Sequence, residues 1–364
     1  MSSEPSVCFM PDWQKENPYQ SLLAAALRRR GWRVSFAPMP RGLFALNRLP
    51  AAVRKVDVLH LHWVNQLIEH TCWSERPLLR SLRRALLRLD VCLLRARGVR
   101  VVWTVHNLVG HEAAHPEREL QARRALGESA SALLFHSQSA LSRVEEATQG
   151  RLRARAYVVP HGNYDGCYPV SSVRVEQLRA QLGISEAETV LMFFGAVRRY
   201  KGVSTLLEAF GLAVAPGLRL VIAGRPAPED LGEEIRAAAK ADPRIRLLLD
   251  FVPDSDVGAL LSLAHALVLP FERTLTSGSA VLAMTMGKAV LVPEQARVFD
   301  LVDEKCAVFF KDAVDLARRL EGLDIGELVE RGGLARQRAD ALTWDRIAES
   351  TERAYRGTAA HDSH

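Results

Sequence analysis

In the stretch MFFGAVRRYKGVST, Met192–Thr205, three cations (Arg198, Arg199, Lys201) sit between Gly195 and Gly202. The apolar run Val190–Phe194 before them reads as a buried strand, and Leu206, Leu207, Ala209 and Phe210 after them share one side of a helix. A strand, a glycine turn, clustered cations and a helix start together suit a phosphorylated ligand. Free backbone N–H groups and the positive helix end attract an anion, and the side chains add full charges. The plainer reading is a solvated basic turn. A second cradle is Thr276–Gly278 (TSG), where hydroxyls and N–H groups precede a helix at Ala280–Met286. It also reads as an ordinary Ser/Thr cap. Two cradles in one domain suit a diphosphate.

Acid–base chemistry is placed elsewhere. The strand Val99–Val105 runs into HNLVGHE, which sets His106, His111 and Glu112 just past a strand end. The loop Pro11–Tyr19 offers Asp12, Trp13, Asn17 and Tyr19 to hydrogen-bond or stack on a sugar, or simply packs as a surface loop. His60 and His62 share a strand face, as metal ligands can. No third ligand stands at useful spacing, so no metal is expected.

The elements that must position these groups alternate. Strand Val7–Met10, helix Gln20–Arg30 and strand Trp32–Ala37 make a β-α-β opening, which implies a parallel sheet with ligands past its carboxyl ends. Further strands are read at Val56–His62, Ala132–Ser137 and Ala156–Val159, the last leading into the turn Pro160–Tyr168. Residues 169–185 show no strand pattern and read as a linker. Beyond them strands are expected at Val190–Phe194, Leu218–Ala223, Ile245–Leu249, Ala266–Leu269, Ala289–Val292 and Ala307–Phe310, with helices at Ser204–Leu212, Asp230–Ala239, Asp254–Leu263 and Ala280–Met286. The fold class is therefore α/β, two doubly wound Rossmann-like domains, with a last helix at Trp344–Tyr355.

Pro77–Arg97 is the strongest helical pattern. Leu78, Leu82, Leu86, Leu89 and Leu93 form one stripe, and Arg80, Arg83, Arg84 and Arg88 line another side. The stripe reads as core. The combination also suits a helix lying on an anionic membrane surface.

The 364 residues, 48% hydrophobic and 25% charged, fit two soluble domains. No apolar run is long enough to span a membrane. MSSEPSVCFM lacks the pattern of a secretion signal, so cytoplasm is expected, with peripheral contact at the inner face of the membrane. Five scattered cysteines, without a C-x-x-C pair, fit reduced thiols. Charge is uneven: residues 1–172 carry 24 basic and 14 acidic side chains, and the remainder 24 and 28. A basic half favours an anionic partner such as lipid or a phosphorylated acceptor. Nothing resembles a nucleic-acid module, so a basic scaffold is the rival from another class. No strand leads into G-x-G-x-x-G, which sets a dinucleotide dehydrogenase aside.

FFGAVRRYKG, AGRP, PFERTLTSGSAVLAMTMGKAVLVPE and a closing Trp-Asp helix, together with NPYQSLLAAALRRRGWRV, DVLHLHW, WTVHN and VVPHGNY, resemble the GT-B glycosyltransferases over nearly the whole chain. The resemblance implies an acceptor-binding domain at 1–170, a nucleotide-sugar domain at 171–343, and a C-terminal helix and tail at 344–364 that packs back toward the first domain. It implies that Arg198 and Lys201 hold the donor diphosphate, that Thr276, Ser277 and Gly278 form the phosphate turn, and that Gly162 lies in a hinge-side donor loop. Arg225 of AGRP joins the donor set. His106 matches a histidine that contacts donor sugar. A nucleotide-diphosphate sugar serves as co-substrate, with no further cofactor and no metal. The partner is a glycan or polyprenol-diphosphate-linked acceptor.

One departure stands out. Retaining members usually carry two glutamates eight positions apart around the phosphate turn. Here Thr274 and Leu282 occupy those places, and Glu272 lies two residues from the first. The chain looks closer to exopolysaccharide enzymes such as the GDP-mannose:glycolipid 4-β-mannosyltransferases, which invert. Inversion needs a base, for which Glu112 is the first candidate, His111 the second and Asp12 the third. A retaining UDP-sugar transferase of the same fold is the alternative, with His106 positioning the sugar. A GT-B-like epimerase or phosphorylase is a third reading.

Overall fold

The computed structural model describes residues 4–358 apart from 16, 111, 112, 151, 153, 154, 272 and 273. The chain divides into two compact units, one running to Gly162 and resuming at Thr343, the other spanning Asn163–Leu342.

The first unit begins β1 (Ser6–Met10), α1 (Pro18–Arg29), β2 (Arg33–Phe36), a short α2 (Ala51–Arg54), β3 (Val58–Leu61), α3 (Asn65–Cys72) and α4 (Pro77–Ala96). It continues through β4 (Arg100–Thr104), α5 (Pro116–Ser129), β5 (Ala132–Phe135), α6 (Gln138–Thr148) and β6 (Ala156–Val158). Every pairing is parallel, in the order β2-β1-β3-β4-β5-β6. The order reverses between β1 and β3, the switch point at which open α/β sheets bind ligands. Helix α1 starts where the Asn17 side chain accepts the Tyr19 N–H at 2.9 Å, with Pro18 in the first turn. Gly31, at φ 86°, lets the chain turn back into β2.

The leucine stripe of α4 is not core. The buried face is Leu87, Asp90, Val91 and Leu94, whereas Leu78, Leu82 and Leu89 are 88%, 54% and 46% exposed. The Asp90 carboxylate decides the rotation. It accepts the backbone N–H groups of Leu46 and Asn47 at 2.9 and 3.0 Å, so the face beside it turns inward.

The second unit contains α7 (Ser172–Leu182), β7 (Thr189–Phe194), a tight 3-10 turn at Arg199–Lys201, α8 (Val203–Leu212), β8 (Leu218–Ala223), α9 (Glu229–Ala241) and β9 (Ile245–Leu248). Then come α10 (Asp254–Leu263), β10 (Ala266–Val268), α11 (Gly278–Thr285), β11 (Ala289–Pro293), β12 (Ala307–Phe310), α12 (Ala313–Glu321) and α13 (Ile325–Asp340). Its sheet is also parallel, ordered β12-β11-β10-β7-β8-β9, with the switch point between β7 and β10. The supposed linker at 169–185 is largely the helix α7. Ser171 caps it, and Arg174 pins it to Asp256 of α10 at 2.7 Å. Its two buried leucines, Leu178 and Leu182, are too sparse a stripe to stand out among polar residues.

The chain returns to the first unit as α14 (Trp344–Arg356). This helix lays Trp344, Ile347, Ala348, Ala354 and Tyr355 into the core formed with Val7, Phe9, Tyr19, Leu23 and Leu27. Ion pairs Arg29–Asp345 and Arg30–Glu352, at 2.7 and 2.8 Å, flank that seam.

Candidate functional site

In the second unit, the two sequence cradles follow the two strands of the switch point. The loop after β7 carries Gly195, Arg198 and Lys201, and the loop after β10 leads to Thr276–Gly278. Their backbones touch. A Cβ on Gly202, at φ 73°, would lie 1.9 Å from the Pro270 carbonyl oxygen, so only glycine permits the approach. Gly224, at φ 136°, performs the same service against Gly195.

The cations in this loop divide by partner. Arg199 is spent on α9, pairing with Asp230 at 2.7 Å and Glu234 at 3.1 Å. Arg225 pairs at the surface with Asp250 at 3.0 Å. Among the described residues Arg198 donates only to carbonyls, those of Val197 and Arg225. Lys201 has no ion-pair partner among the described residues. Burial, with Arg198 adding repulsion, brings its ammonium down to about 8. Arg198 and Lys201 thus stand at the sheet's switch point without a carboxylate beside them among the described residues, an arrangement suited to an anion. Of the second cradle, the Ser277 hydroxyl accepts the Ala280 N–H at 3.1 Å as the cap of α11, and Thr274 accepts the Thr276 N–H at 3.3 Å. Glu272 lies outside the described residues.

In the first unit the carboxyl edge of the sheet holds a cluster of five histidines, of which the sequence reading singled out His60, His62 and His106 but not His136 and His161. His60 lies in β3 with His62 just after it, and His106, His136 and His161 follow β4, β5 and β6. All five are buried. His136 Nδ1 donates to the Val159 carbonyl at 2.9 Å, and its Nε2 faces His106 Nδ1 at 3.3 Å. His106 Nε2 faces His62 Nδ1 at 3.5 Å. His62 Nε2 has no hydrogen-bond partner among the described residues. His60 bridges the hydroxyls of Tyr355 and Thr104 at 2.6 and 2.7 Å. The Trp63 ring stacks on His106 at 4.6 Å and on Trp13 at 4.8 Å.

Burial keeps these imidazoles neutral. It brings His60 and His161 to about 3 and His136 to about 4, and holds His62 and His106 well below the ordinary range, with neighbouring imidazoles adding to the effect at all but His136. The described residues contain no group of three or more His, Cys, Asp or Glu placed to hold a metal ion.

Asp12 stays exposed, and Trp13 is half-buried against Trp63. Asn17 is a helix cap, Tyr19 is 2% exposed in the core, and His106 has both ring nitrogens in hydrogen bonds. Gly162 is a packing glycine in this unit, since a Cβ there would lie 2.5 Å from the Trp344 ring. His111 and Glu112 lie outside the described residues. The missed signal was repetition: VDVLHLH, VVWTVH, LLFH and VVPH each end an apolar run in histidine.

Comparison with known proteins agrees with this architecture. Residues 188–323 match the family model described as Glycosyl transferases group 1. A GDP-mannose:glycolipid 4-beta-D-mannosyltransferase of Xanthomonas campestris pv. campestris is 27% identical over 351 residues, 93% of this chain and 88% of the relative. An alpha-maltose-1-phosphate synthase of Mycolicibacterium smegmatis is 27% identical over 57% of this chain and 58% of its own. Among solved structures, Anabaena HepE in complex with UDP-glucose superposes with a TM-score of 0.74 at 14% identity, covering 97% of this chain and 99% of that one. Sucrose-phosphate synthase from Thermosynechococcus elongatus gives 0.74 at 18% identity, covering 97% and 98%. These likenesses establish the fold. The chain is a glycosyltransferase of GT-B type, and its second unit carries a group 1 glycosyl transferase domain.

Proposed function

We propose that the protein transfers a hexose, mannose from GDP-mannose, to a glycan or lipid-linked acceptor with inversion. The observation that carries the reading is the pair of uncompensated cations, Arg198 and Lys201, at the β7/β10 switch point of a chain similar along most of its length to a mannosyltransferase. The acceptor hydroxyl attacks the anomeric carbon while a base, Glu112 or His111, takes its proton. The bond from that carbon to the diphosphate oxygen breaks, and the charge left on the diphosphate falls to Arg198, Lys201 and the Thr276–Gly278 turn. Two buried ring-nitrogen contacts make His106 a poor base and leave it a positioning group. Thermal shift with GDP, UDP and their sugar conjugates tests the donor, because a ligand of the native state alone raises apparent stability. A clear shift with GDP and GDP-mannose is expected. A shift confined to UDP, or a product that keeps the donor's anomeric configuration, points to the retaining UDP-sugar alternative.

The same reading places the enzyme at the inner face of a membrane, in contact by α4. No helix among the described residues is long and apolar enough to cross a bilayer. Leu78, Leu82 and Leu89 instead present an exposed apolar stripe. Beside it Arg80 and Arg83 donate to backbone carbonyls and Arg84 to the Gln121 amide, with no carboxylate paired to them among the described residues, whereas Arg88 is paired with Glu128. Leucines that enter the acyl boundary and arginines on headgroup phosphates suit an anionic surface, at about 1 kcal/mol per cation. Flotation with phosphatidylglycerol vesicles but not phosphatidylcholine ones is expected, and Leu78→Glu with Leu82→Glu should abolish it. Equal recovery of wild type and variant with the anionic vesicles would remove α4 from the surface.

A further inference from the structure

The histidine row has a direction. A carbonyl oxygen can only accept, so the 2.9 Å contact with Val159 puts a proton on His136 Nδ1. In a neutral ring Nε2 is then a lone pair. It faces His106 Nδ1 at 3.3 Å, so that nitrogen must carry the proton. The same logic leaves His106 Nε2 as acceptor and makes His62 Nδ1 the donor across the longer 3.5 Å step. The row ends on the lone pair of His62 Nε2, which has no partner among the described residues although the residue is 1% exposed. One backbone carbonyl thus dictates proton positions three residues away, because the hydrogen bond at one ring nitrogen selects what the other can do.

We propose that His136 is a positioning residue of the transfer reaction, which sets the tautomers of His106 and His62 from the Val159 carbonyl and so fixes the His106 ring against Trp63. His106 lies in the loop after β4 and stacks on Trp63 with an interplanar angle of 9°. Rotation of that ring would break the hydrogen bonds at both its nitrogens at once. His136→Phe keeps a flat ring but removes the acceptor that His106 Nδ1–H needs. Glutamine offers an amide oxygen to His106 and an amide N–H toward Val159, so it can keep the row's direction.

The role in turnover rests on the transferase reading above; the tautomers do not. Ring ¹⁵N spectra of the full chain should show His62, His106 and His136 as Nδ1–H. His136→Phe should convert His106 to mixed tautomers and lower kcat for GDP-mannose turnover about tenfold or more at little change in KM. His136→Gln should restore most of it. An Nε2–H form at His106 in the wild type overturns the proposal, as does a His136→Phe enzyme within twofold of wild type. If His136→Phe does not fold, the wild-type spectra and the glutamine variant decide: normal turnover with His106 as Nδ1–H supports the role, and normal turnover with His106 as Nε2–H removes it. Relay tautomers in a protein that turns over no sugar nucleotide would overturn the function and leave the relay intact.

Discussion

Stability of the first unit is expected to collapse between about pH 6.5 and 5. Five buried imidazoles (His60, His62, His106, His136, His161) are neutral in the folded protein, with their affinities for protons depressed by burial. In the unfolded chain each titrates near the ordinary value of about 6.5. Above that value neither state is charged and the cluster makes stability independent of pH. As pH falls below it the unfolded state takes up protons that the folded state refuses, so stability is lost until the folded values are reached, about 3 for His60 and His161 and about 4 for His136. At pH 5.5 the loss is about 1.4 kcal/mol per imidazole, or about 7 kcal/mol for the set. That is comparable with the whole stability of a typical domain, about 5–15 kcal/mol. Denaturant midpoints at pH 8, 6.5 and 5.5 provide the check. Equal midpoints at pH 8 and 5.5 would show that the imidazoles reach water in the folded state.

Replacing Lys201 by alanine should cost about 10- to 100-fold in nucleotide-diphosphate affinity and about 10²- to 10³-fold in kcat. The first figure is that of one charge-assisted hydrogen bond, and the second that of one donor aimed at charge which develops as the leaving group departs. The half-buried Lys201 ammonium adds a pH signature. With its value lowered to about 8, the free protein loses this charge as pH rises through the range where an ordinary lysine stays cationic. Affinity for GDP should therefore be flat below about pH 7.5 and fall by up to about tenfold per unit above 8, whereas Lys201→Ala should be flat throughout. Calorimetric titration from pH 7 to 9.5 reads both. Parallel profiles for the two proteins would place the titrating group elsewhere. Arg199→Ala serves as the contrast, because its charge is already committed to Asp230 and Glu234 and the diphosphate should lose little with it.

Much of the architecture is legible in the sequence, since apolar runs in a parallel sheet are buried on both faces and read as continuous strands. Leu218–Ala223, Asp254–Leu263 and Ala307–Phe310 keep their expected bounds, and the other strands shift by only a residue or two. The helix α7 was not legible. Two buried leucines among Arg, Glu and Gln give no stripe, and its place is fixed by packing on α10 and the Arg174–Asp256 pair. The rotation of α4 was not legible either. Two apolar faces compete there, and the choice rests on Asp90, whose carboxylate binds backbone groups more than forty positions earlier in the chain.

The sequence by itself determined the parallel α/β class, the glycine-and-cation turn after Val190–Phe194, and the Ser277 cap of the following cradle. Each depends on residues close together in the chain, where spacing alone sets the geometry. Only the tertiary structure decided which cations are free. Arg199 and Arg225 have the same charge as Arg198 and Lys201, and the fold neutralises the first two by setting carboxylates beside them. It also decided what the histidines are. Parallel strands bring the ends of four separate runs to one sheet edge, and burial there turns residues that would titrate in water into a neutral, directed row.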